Sequence, residues 1–380
     1  MRKMTMRIFL LAAMLIFVLM GASSVRHASA PAELLHMDAA SREAAINEWL
    51  PHKELLLKPF RITGKAIDKR YFPEMQTLTC DDGQMLKGSL PTDPAFAADR
   101  TQELYRACEK QGVNFLYVIV PGKPLFDEDL TSMGIPCSRN NSAARGRKAL
   151  EERGIPVLDL REKFRNEYGP DCDRSSLYYK TDHHWNTDAV LKAAGMIAGD
   201  LNERFGQDLP AGNLDEDKFG REVYRDAFVG EMGMKALGEY GGRDDFIRRY
   251  PLYDTNIRLV SPARNSDETG DFGVMTNDAV LEELPVDTGD SLYYYYMYGN
   301  YCHDEIFNKN VPEGDILLIK DSFGNAVSPF LAMACRHLTL WDMRTDTDVT
   351  SWIKEHPEIE TVIVVYNTAY VTDSEMNDYH

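Results

Sequence analysis

The segment Tyr178-Tyr179-Lys180-Thr181-Asp182-His183-His184-Trp185 combines one carboxylate with two imidazoles. The segment begins with two tyrosines, and the run predicts an extended stretch. In such a stretch Asp182 and His184, at positions i and i+2, project to the same face. A carboxylate so placed can orient an imidazole, and the pair supplies two members of a hydrolase triad.

A candidate nucleophile lies far downstream, at Ser322. The apolar run Ile316-Leu317-Leu318-Ile319 predicts a buried strand, and Lys320-Asp321-Ser322-Phe323-Gly324-Asn325 leads from it into a predicted helix. A serine at such a turn is exposed above the sheet edge, where a base from another strand can reach it. We predict that Ser322 is the nucleophile, His184 its base and Asp182 the carboxylate that fixes the imidazole. The alternative is that the Asp-Ser pair serves only as a helix N-cap.

His183 and the acidic residues around it raise the question of a metal site. In an extended segment His183 points away from His184, so we interpret it as structural. A metal site would use Asp182, His183 and His184, with Asp188 or His303. Adjacent histidines on opposite faces cannot easily chelate one ion, and no His-x-x-x-His or Cys-x-x-Cys pattern accompanies them. We therefore predict no metal and no cofactor.

Helical and strand-like segments alternate over residues 91–207 and again over 315–380. This alternation predicts an α/β domain with a mostly parallel sheet covered by helices on both faces. Residues 208–314 are turn-rich, with short aromatic strands such as Ser291–Tyr296, and we interpret them as a β-rich insertion that stands over the site. Residues 31–90 are predicted to form an N-terminal helix and short strands. Among the predicted elements are helices Thr187–Phe205 and Val349–Glu355 and strands Phe115–Val120 and Thr361–Tyr366.

The N-terminus has the layout of an export signal. Basic residues precede an apolar stretch from Ile8 to about Met20, and Ala28-Ser29-Ala30 resembles a signal-peptidase site. We predict that residues 1–30 are a signal peptide or a membrane anchor, since the apolar stretch is almost long enough to span a bilayer. In either case the basic residues place the rest of the chain outside the cytoplasm.

The composition is that of a globular protein with a strongly acidic balance. Hydrophobic residues make up 44% of the 380 residues, and 60 acidic against 42 basic residues give a formal net charge of -18. Because phosphate backbones bind clustered Lys and Arg, this balance argues against nucleic acid as the main partner. The 6 cysteines are widely spaced, unlike those of a compact disulfide scaffold, which leaves disulfides and buried thiols both open.

Two motifs, Asp182-His183-His184-Trp185 and Ile319–Asn325, together resemble the DHHW family of bacterial exported proteins, which is related to the SGNH-hydrolase-like alginate O-acetyltransferases. Shorter segments with family-like counterparts are Val120–Lys123, Tyr298–Tyr301 and Trp341–Arg344. The resemblance covers most of residues 70–370 and implies a three-layer α/β/α sandwich, here split by the insertion. The chain departs from many relatives at Lys320, where they have glycine.

The resemblance implies acyl transfer through an acetyl group on Ser322. A sugar hydroxyl deprotonated by His184 would accept the acetyl group, and water would be the acceptor in an esterase. The backbone N–H of Ser322 is the predicted first donor of the oxyanion hole. The Gly299 N–H and the Asn300 side chain are candidates for the second donor, and the alternative for this pair is a simple hairpin turn.

Three further residues are candidates for substrate binding. We interpret Trp185 mainly as a packing residue, with stacking on a sugar ring as the alternative. Lys123 and Arg344 follow predicted strands and are candidates to bind an anionic sugar. Solvated surface charge is the alternative for both.

The leading hypothesis is an exported O-acetyltransferase or acetylesterase that acts on a cell-surface or extracellular polysaccharide. The resemblance implies a membrane-bound O-acyltransferase partner that supplies the acetyl groups. The alternative is a non-catalytic binding or scaffolding component of a polysaccharide machine, with the aromatic residues of Tyr293–Tyr301 on the glycan. A lipase-like hydrolase is a third possibility, disfavoured because the sequence has no evident apolar lid.

Overall fold

The computed structural model describes residues 62–63, 66, 70–72, 77–123, 135–169, 173–236, 240–286 and 292–380. All the strands and α-helices named below lie in the unit Asp68–His380. The strands are β1 (Tyr71–Phe72), β2 (Thr77–Thr79), β3 (Met85–Lys87), β4 (Asn114–Val120), β5 (Val157–Asp159), β6 (Phe219–Phe228), β7 (Asp244–Pro251), β8 (Ile257–Ser261), β9 (Ser266–Gly270), β10 (Glu305–Asn308), β11 (Asp315–Lys320), β12 (His337–Asp342) and β13 (Thr361–Asn367). The α-helices are α1 (Ala95–Gln111), α2 (Arg139–Glu151), α3 (Leu160–Tyr168), α4 (Thr187–Phe205), α5 (Glu231–Lys235), α6 (Ala279–Glu282), α7 (Ser322–Leu331) and α8 (Val349–Glu355).

An eight-stranded sheet, in the order β5-β4-β13-β11-β12-β10-β8-β9, forms the centre of the unit. The first five strands in this order pair in parallel. Their side chains alternate between two cores: Leu116 and Val118 pack with α3, α4 and α7, whereas Phe115 and Tyr117 pack with α1, α2 and α8. The predicted three-layer α/β/α sandwich is confirmed, because near-continuous apolar strands need cover on both faces.

The predicted insertion at residues 208–314 is not separate from the sheet. Its strands β8, β9 and β10 continue the sheet as an antiparallel extension of β12, while β6 and β7 form a two-stranded ribbon of their own. A short strand with one polar face has the same sequence pattern in an independent hairpin and at the antiparallel edge of a sheet, so the sequence did not distinguish the two. The strand predicted at Ser291–Tyr296 is wrong, since Leu292–Tyr295 is a 3₁₀ turn.

Two predictions fall wholly or partly outside the described residues. The predicted signal segment, residues 1–30, and the helix predicted within 31–90 are not covered by the description. Among the helices that the structure does describe, none combines the length and the apolar character needed to cross a bilayer. Cys80, Cys108, Cys302 and Cys335 are free thiols.

Two helix N-termini carry the candidate site. Asn186 caps α4 by accepting the Ala189 N–H at 3.0 Å, so the two histidines lie just before this helix. Asp321 caps α7 by accepting the Phe323 N–H at 2.8 Å. The cap of α7 is therefore Asp321, and Ser322 is the first residue of the helix itself.

Leu318, which is fully buried in β11, provides a test of the core. We expect Leu318→Ala to lower the free energy of unfolding by about 2–5 kcal/mol, because it removes buried methyl groups and leaves a cavity. Denaturant unfolding measures this change. Leu252→Ala is the matched control, since Leu252 is 63% exposed, and its effect should stay within about 0.5 kcal/mol. Equal losses for the two variants would contradict the assigned core.

Candidate active site

Asp182, His184 and Ser322 form one hydrogen-bonded chain. His184 Nδ1 lies 2.7 Å from Asp182 Oδ1, and His184 Nε2 lies 2.8 Å from Ser322 Oγ. An ionised carboxylate can only accept, so Nδ1 donates its hydrogen to Asp182. Nε2 is then left to accept from the serine hydroxyl. This arrangement can activate a serine as a nucleophile.

The segment that carries the two histidines is a tight loop and not the predicted extended strand. A bridge between Tyr178 and Trp185 closes residues 178–185, which we call the catalytic loop. The His184 N–H donates to Asp182 Oδ1 at 3.0 Å, so the carboxylate stabilises the bend. The His183 ring lies 3.8 Å from the His184 ring, so the prediction that the two imidazoles face opposite ways is wrong.

The electrostatic surroundings keep Asp182 charged and His184 neutral. Burial alone would raise the pKa of Asp182, but the His184 ring, its hydrogen bond and the Glu231 N–H at 3.1 Å together hold that pKa well below the ordinary value. Burial, reinforced by the neighbouring His183, lowers the pKa of His184 to about 4. A neutral imidazole at pH 7 is the form that can accept a proton.

The same loop supplies metal-donor atoms within the described part of the chain. One donor atom each from Asp182, His183 and His184 lie within 4.8 Å of one another. Both ring nitrogens of His184 are already hydrogen-bonded to Asp182 and Ser322. A bound ion at His184 would have to replace one of these bonds, so the geometry fits a triad better than a metal site.

Asp244, at the start of β7, holds the catalytic loop in place. Its carboxylate accepts the Lys180 N–H, the Thr181 N–H at 2.8 Å and the Thr181 hydroxyl. Thr181 Oγ1 in turn accepts the Gly230 N–H at 2.8 Å. Burial raises the pKa of Asp244. No sequence motif marks this residue, and sequence analysis missed it.

Lys123, which follows β4, binds the catalytic loop from another direction. Its Nζ donates to the carbonyl oxygens of Lys180 and Asp182, the latter at 2.9 Å. The side chain is buried, and burial lowers its pKa to about 7. The ammonium thus supports the loop, and Lys123 also lines the pocket that contains Ser322. Its binding of an anionic sugar stays a prediction.

Tyr293 and Trp185 fix the His184 ring. The Tyr293 ring stacks on the His184 ring at 3.7 Å and 9°. The Tyr293 hydroxyl accepts from Trp185 Nε1 at 3.1 Å and donates to the Phe323 carbonyl at 3.1 Å. Trp185 is 1% exposed, so it packs against the site and cannot stack on a sugar. Sequence analysis placed Tyr293 in an aromatic run without assigning it this role.

Arg344 lies outside the pocket that contains Ser322. Its Nε donates to Asp342 Oδ1 at 2.8 Å, and the neighbouring Lys320 lies 3.3 Å from Asp342 Oδ2. Both cations are thus engaged by one carboxylate at the end of β12. The predicted binding of an anionic sugar by Arg344 finds no support in this arrangement.

The structure gives different support to the two predicted donors of the oxyanion hole. Ser322 is the first residue of α7, so its N–H lies at the positive end of the helix dipole. Asn300 donates from Nδ2 to the Tyr294 hydroxyl at 3.1 Å and accepts from Asn325 Nδ2 at 2.6 Å. Gly299 lies in a turn with φ of 146°. The Asn300 N–H is thus engaged by Tyr294, while Asn300 Oδ1 contacts Asn325 of the helix that Ser322 begins. The second oxyanion donor stays a prediction.

Ser322 lines a cavity of about 320 Å³, which we call the nucleophile pocket. A volume of this order is typical of small-ligand sites. Sequence analysis missed most of its wall. Residues that line it include Lys87, Arg139, His183, Glu231, Asn367 and Tyr370.

Gly230 provides a test of how tightly the loop is held. A Cβ at this position would lie 2.4 Å from Asp182 Cβ and 2.7 Å from its Oδ2. We expect Gly230→Ala to shift Asp182 and to slow the labelling of Ser322 by a sulfonyl fluoride at least about tenfold, because small misplacements of a catalytic group are costly. Intact-mass spectrometry measures the labelling rate. Gly199→Ala in α4 is the control, since a Cβ there meets nothing within 4 Å, and equal rates for the two variants would contradict the prediction.

Comparison with known proteins places this site in a family context. Residues 90–252 match the family model of the SGNH hydrolase-like domain of acetyltransferase AlgX, a span that includes Asp182 and His184. No curated protein matches the chain. The structure of Bacillus cereus PatB1 with a sulfonyl adduct is similar, with 19% identity, a TM-score of 0.64 and coverage of 80% of this chain and 100% of that chain. A DHHW family protein from Eubacterium siraeum is also similar, with 19% identity, a TM-score of 0.57 and coverage of 80% and 93%. The predicted resemblance is thereby confirmed: residues 90–252 are similar to the SGNH hydrolase-like domain of the acetyltransferase AlgX.

Proposed function

We propose that the protein is an extracytoplasmic O-acetyltransferase that acts on a polysaccharide, with acetyl-ester hydrolysis as the competing reaction. The observation that carries the proposal is the hydrogen-bonded chain from Asp182 through His184 to Ser322, with its 2.8 Å contact between His184 Nε2 and Ser322 Oγ. The match of residues 90–252 to an acetyltransferase domain supports acyl transfer as the reaction class.

In the first half-reaction, Ser322 takes the acetyl group from a donor. His184 Nε2 accepts the hydroxyl proton while Ser322 Oγ attacks the acetyl carbonyl carbon. Asp182 accepts the Nδ1 hydrogen bond and stabilises the imidazolium that forms. The Ser322 N–H at the start of α7 stabilises the negative charge that develops on the carbonyl oxygen. His184 then protonates the leaving group, and acetyl-Ser322 remains.

In the second half-reaction, a sugar hydroxyl replaces the leaving group in the nucleophile pocket. His184 accepts the proton of that hydroxyl, the hydroxyl oxygen attacks the acetyl carbon, and Ser322 recovers its proton from His184. Water gives hydrolysis by the same route. The balance between the two acceptors depends on how well a bound sugar excludes water from the acyl-enzyme.

The proposal extends to partners and location. A donor for an enzyme outside the cytoplasm must cross the membrane, and a membrane-bound O-acyltransferase would deliver acetyl groups to this side. The predicted export signal at residues 1–30 supports the extracytoplasmic location. The acidic balance of the chain supports a non-nucleic-acid acceptor.

The non-catalytic alternative loses part of its proposed binding surface, since only Tyr294, Tyr298 and Tyr301 among its tyrosines are partly exposed. It relied on aromatic residues of the 293–301 segment to contact glycan, but Tyr293, Tyr295 and Tyr296 are buried. Tyr296 donates from its hydroxyl to the Arg249 carbonyl at 2.9 Å, as befits a core residue. We therefore do not retain a glycan-binding scaffold as the primary function.

An acetyl group on Ser322 is the expected signature of the reaction. After incubation of the protein with a chromogenic acetyl ester, peptide mass spectrometry should find acetyl-Ser322. Ser322→Ala and His184→Ala should each lower ester turnover by at least about 10³-fold, because each removes a member of the triad. Ser351→Ala, which changes an exposed serine that lines neither cavity near the site, is the matched control. Wild-type ester turnover in a folded Ser322→Ala variant would contradict the proposed function.

The pH profile of ester cleavage should have its acid limb near pH 4. His184 can accept the serine proton only while neutral, and burial together with His183 lowers its pKa to about 4. Activity should therefore stay near its plateau from neutral pH down to about 5 and then fall about tenfold per pH unit below the pKa. Measuring kcat/KM against pH tests this, with circular dichroism as the check on folding. A limb near the ordinary histidine pKa of about 6.5 would contradict it.

A further inference from the structure

A second cavity, of about 490 Å³, borders the start of the catalytic loop and shares no lining residue with the nucleophile pocket. We call it the loop-side cavity. Tyr178, Tyr179 and Lys180 of the loop form one wall. Alternate residues of the β6–β7 ribbon, among them Val223 and Ile247, form another. Its volume lies within the range typical of small-ligand sites.

Gln84 gives the strongest sign that this cavity takes a polar ligand. The residue lines the cavity and is 1% exposed. Neither its Oε1 nor its Nε2 has a hydrogen-bond partner among the described residues. Leaving both a buried donor and a buried acceptor unpaired is unfavourable. Because both atoms are shielded from solvent, the Gln84 side chain must turn toward the cavity before a group that donates and accepts, such as a hydroxyl, can pair with them.

The charges of the wall favour an uncharged ligand. Four aspartates and three cations line the cavity, and most of them already have partners. Arg225 is paired with Asp245, and Arg221 is paired with Asp188 at 3.0 Å. Asp244 is occupied by amides of the catalytic loop. The wall therefore offers hydrogen-bonding groups of both kinds without a strong excess of either charge, together with apolar surface from the ribbon, a combination that suits the hydroxyls and C–H faces of a sugar.

The β2–β3 hairpin connects this cavity to the nucleophile pocket. Thr77 and Lys87, which pair across the hairpin, line the nucleophile pocket. Gln84, which immediately precedes β3, lines the loop-side cavity. The Met85 N–H donates to the Lys180 carbonyl at 2.9 Å and so ties the hairpin to the catalytic loop. Two residues, Met85 and Leu86, lie between Gln84 and Lys87, so the two are about 10 Å apart along an extended chain.

We propose that the loop-side cavity is a binding subsite for an uncharged segment of the polysaccharide acceptor. The inference rests on the proposed function for the identity of the polymer as acceptor, but the binding itself does not require acyl transfer. A chain held there would follow the β2–β3 hairpin, so that another of its sugars reaches Ser322. Binding at this subsite would raise the local concentration of acceptor hydroxyls without contacting the reacting atoms.

The test uses the full-length protein on a printed array of neutral and anionic oligosaccharides, followed by calorimetry with the neutral oligosaccharide that binds best. We expect Val223→Tyr, which fills the cavity from β6, to weaken that binding at least about tenfold, equivalent to 1.4 kcal/mol. Gln84→Met should weaken it by a similar factor without lowering the melting temperature, because the amide has no internal partner to lose. The matched control is Val260→Tyr, since Val260 is equally half-buried in a strand and lines neither this cavity nor the nucleophile pocket.

Three results would overturn the subsite. These are no binding of any neutral oligosaccharide, a preference for anionic glycans, or wild-type affinity in both Val223→Tyr and Gln84→Met. Turnover of the chromogenic acetyl ester separates this proposal from the proposed function. Ester turnover by way of acetyl-Ser322 without neutral-glycan binding would reject the subsite alone. Glycan binding that Val223→Tyr weakens, in a protein that never forms acetyl-Ser322, would reject the acyl chemistry alone.

Discussion

The buried negative charge of Asp182 sets the condition that the rest of the site must meet. The side chain is fully buried, and an isolated carboxylate in such a place would be strongly disfavoured. Its charge is met by the His184 ring at 2.7 Å and by the backbone N–H groups of His184 and Glu231. Each of these contacts also restrains the imidazole that must face Ser322. The same hydrogen bonds therefore stabilise the buried charge of Asp182 and hold the His184 ring in its orientation.

These contacts hold only because distant segments converge on the catalytic loop. Asp244 binds its amides, Lys123 binds its carbonyl oxygens, and Tyr293 stacks on the His184 ring. At Gly230 the backbone approaches Asp182 so closely that no larger residue fits. A loop without regular secondary structure thus gains the rigidity that preorganised catalysis needs. Since supports come from the end of β4 and from β7, residues 208–314 contribute to the framework of the site.

The sequence predicted those features whose signals are local. Helix α4 begins and ends where the sequence indicated, because Asn186 caps its start and Gly206, with φ of 67°, ends it. The strand-to-helix turn at Ser322 follows from an apolar run and a capping aspartate in the same way. The supporting contacts had no such signal. Asp244 and Lys123 act on backbone groups of the loop, and a backbone partner leaves no trace in residue type or spacing.

The structure differs from the sequence-based predictions where one sequence pattern is compatible with two structures. A run of tyrosines at 293–296 suits a β-strand, yet Tyr293 needs a 3₁₀ turn to lay its ring on His184. The short strands of residues 257–308 suit an independent hairpin as well as a sheet edge. Neither ambiguity can be resolved from local periodicity, because the deciding interactions are tertiary.

Lys320 shows how the fold accommodates a buried lysine beside the proposed nucleophile. The side chain is fully buried, and burial lowers its pKa even though Asp342 lies 3.3 Å away. Arg344 donates to the same carboxylate, so the buried lysine and aspartate are not left unpaired. Space comes from Gly324, where a Cβ would lie 2.5 Å from Lys320 Cβ. Lysine at 320 and glycine at 324 are thus linked by packing. With both residues in place, Ser322 Oγ lies 2.8 Å from His184 Nε2.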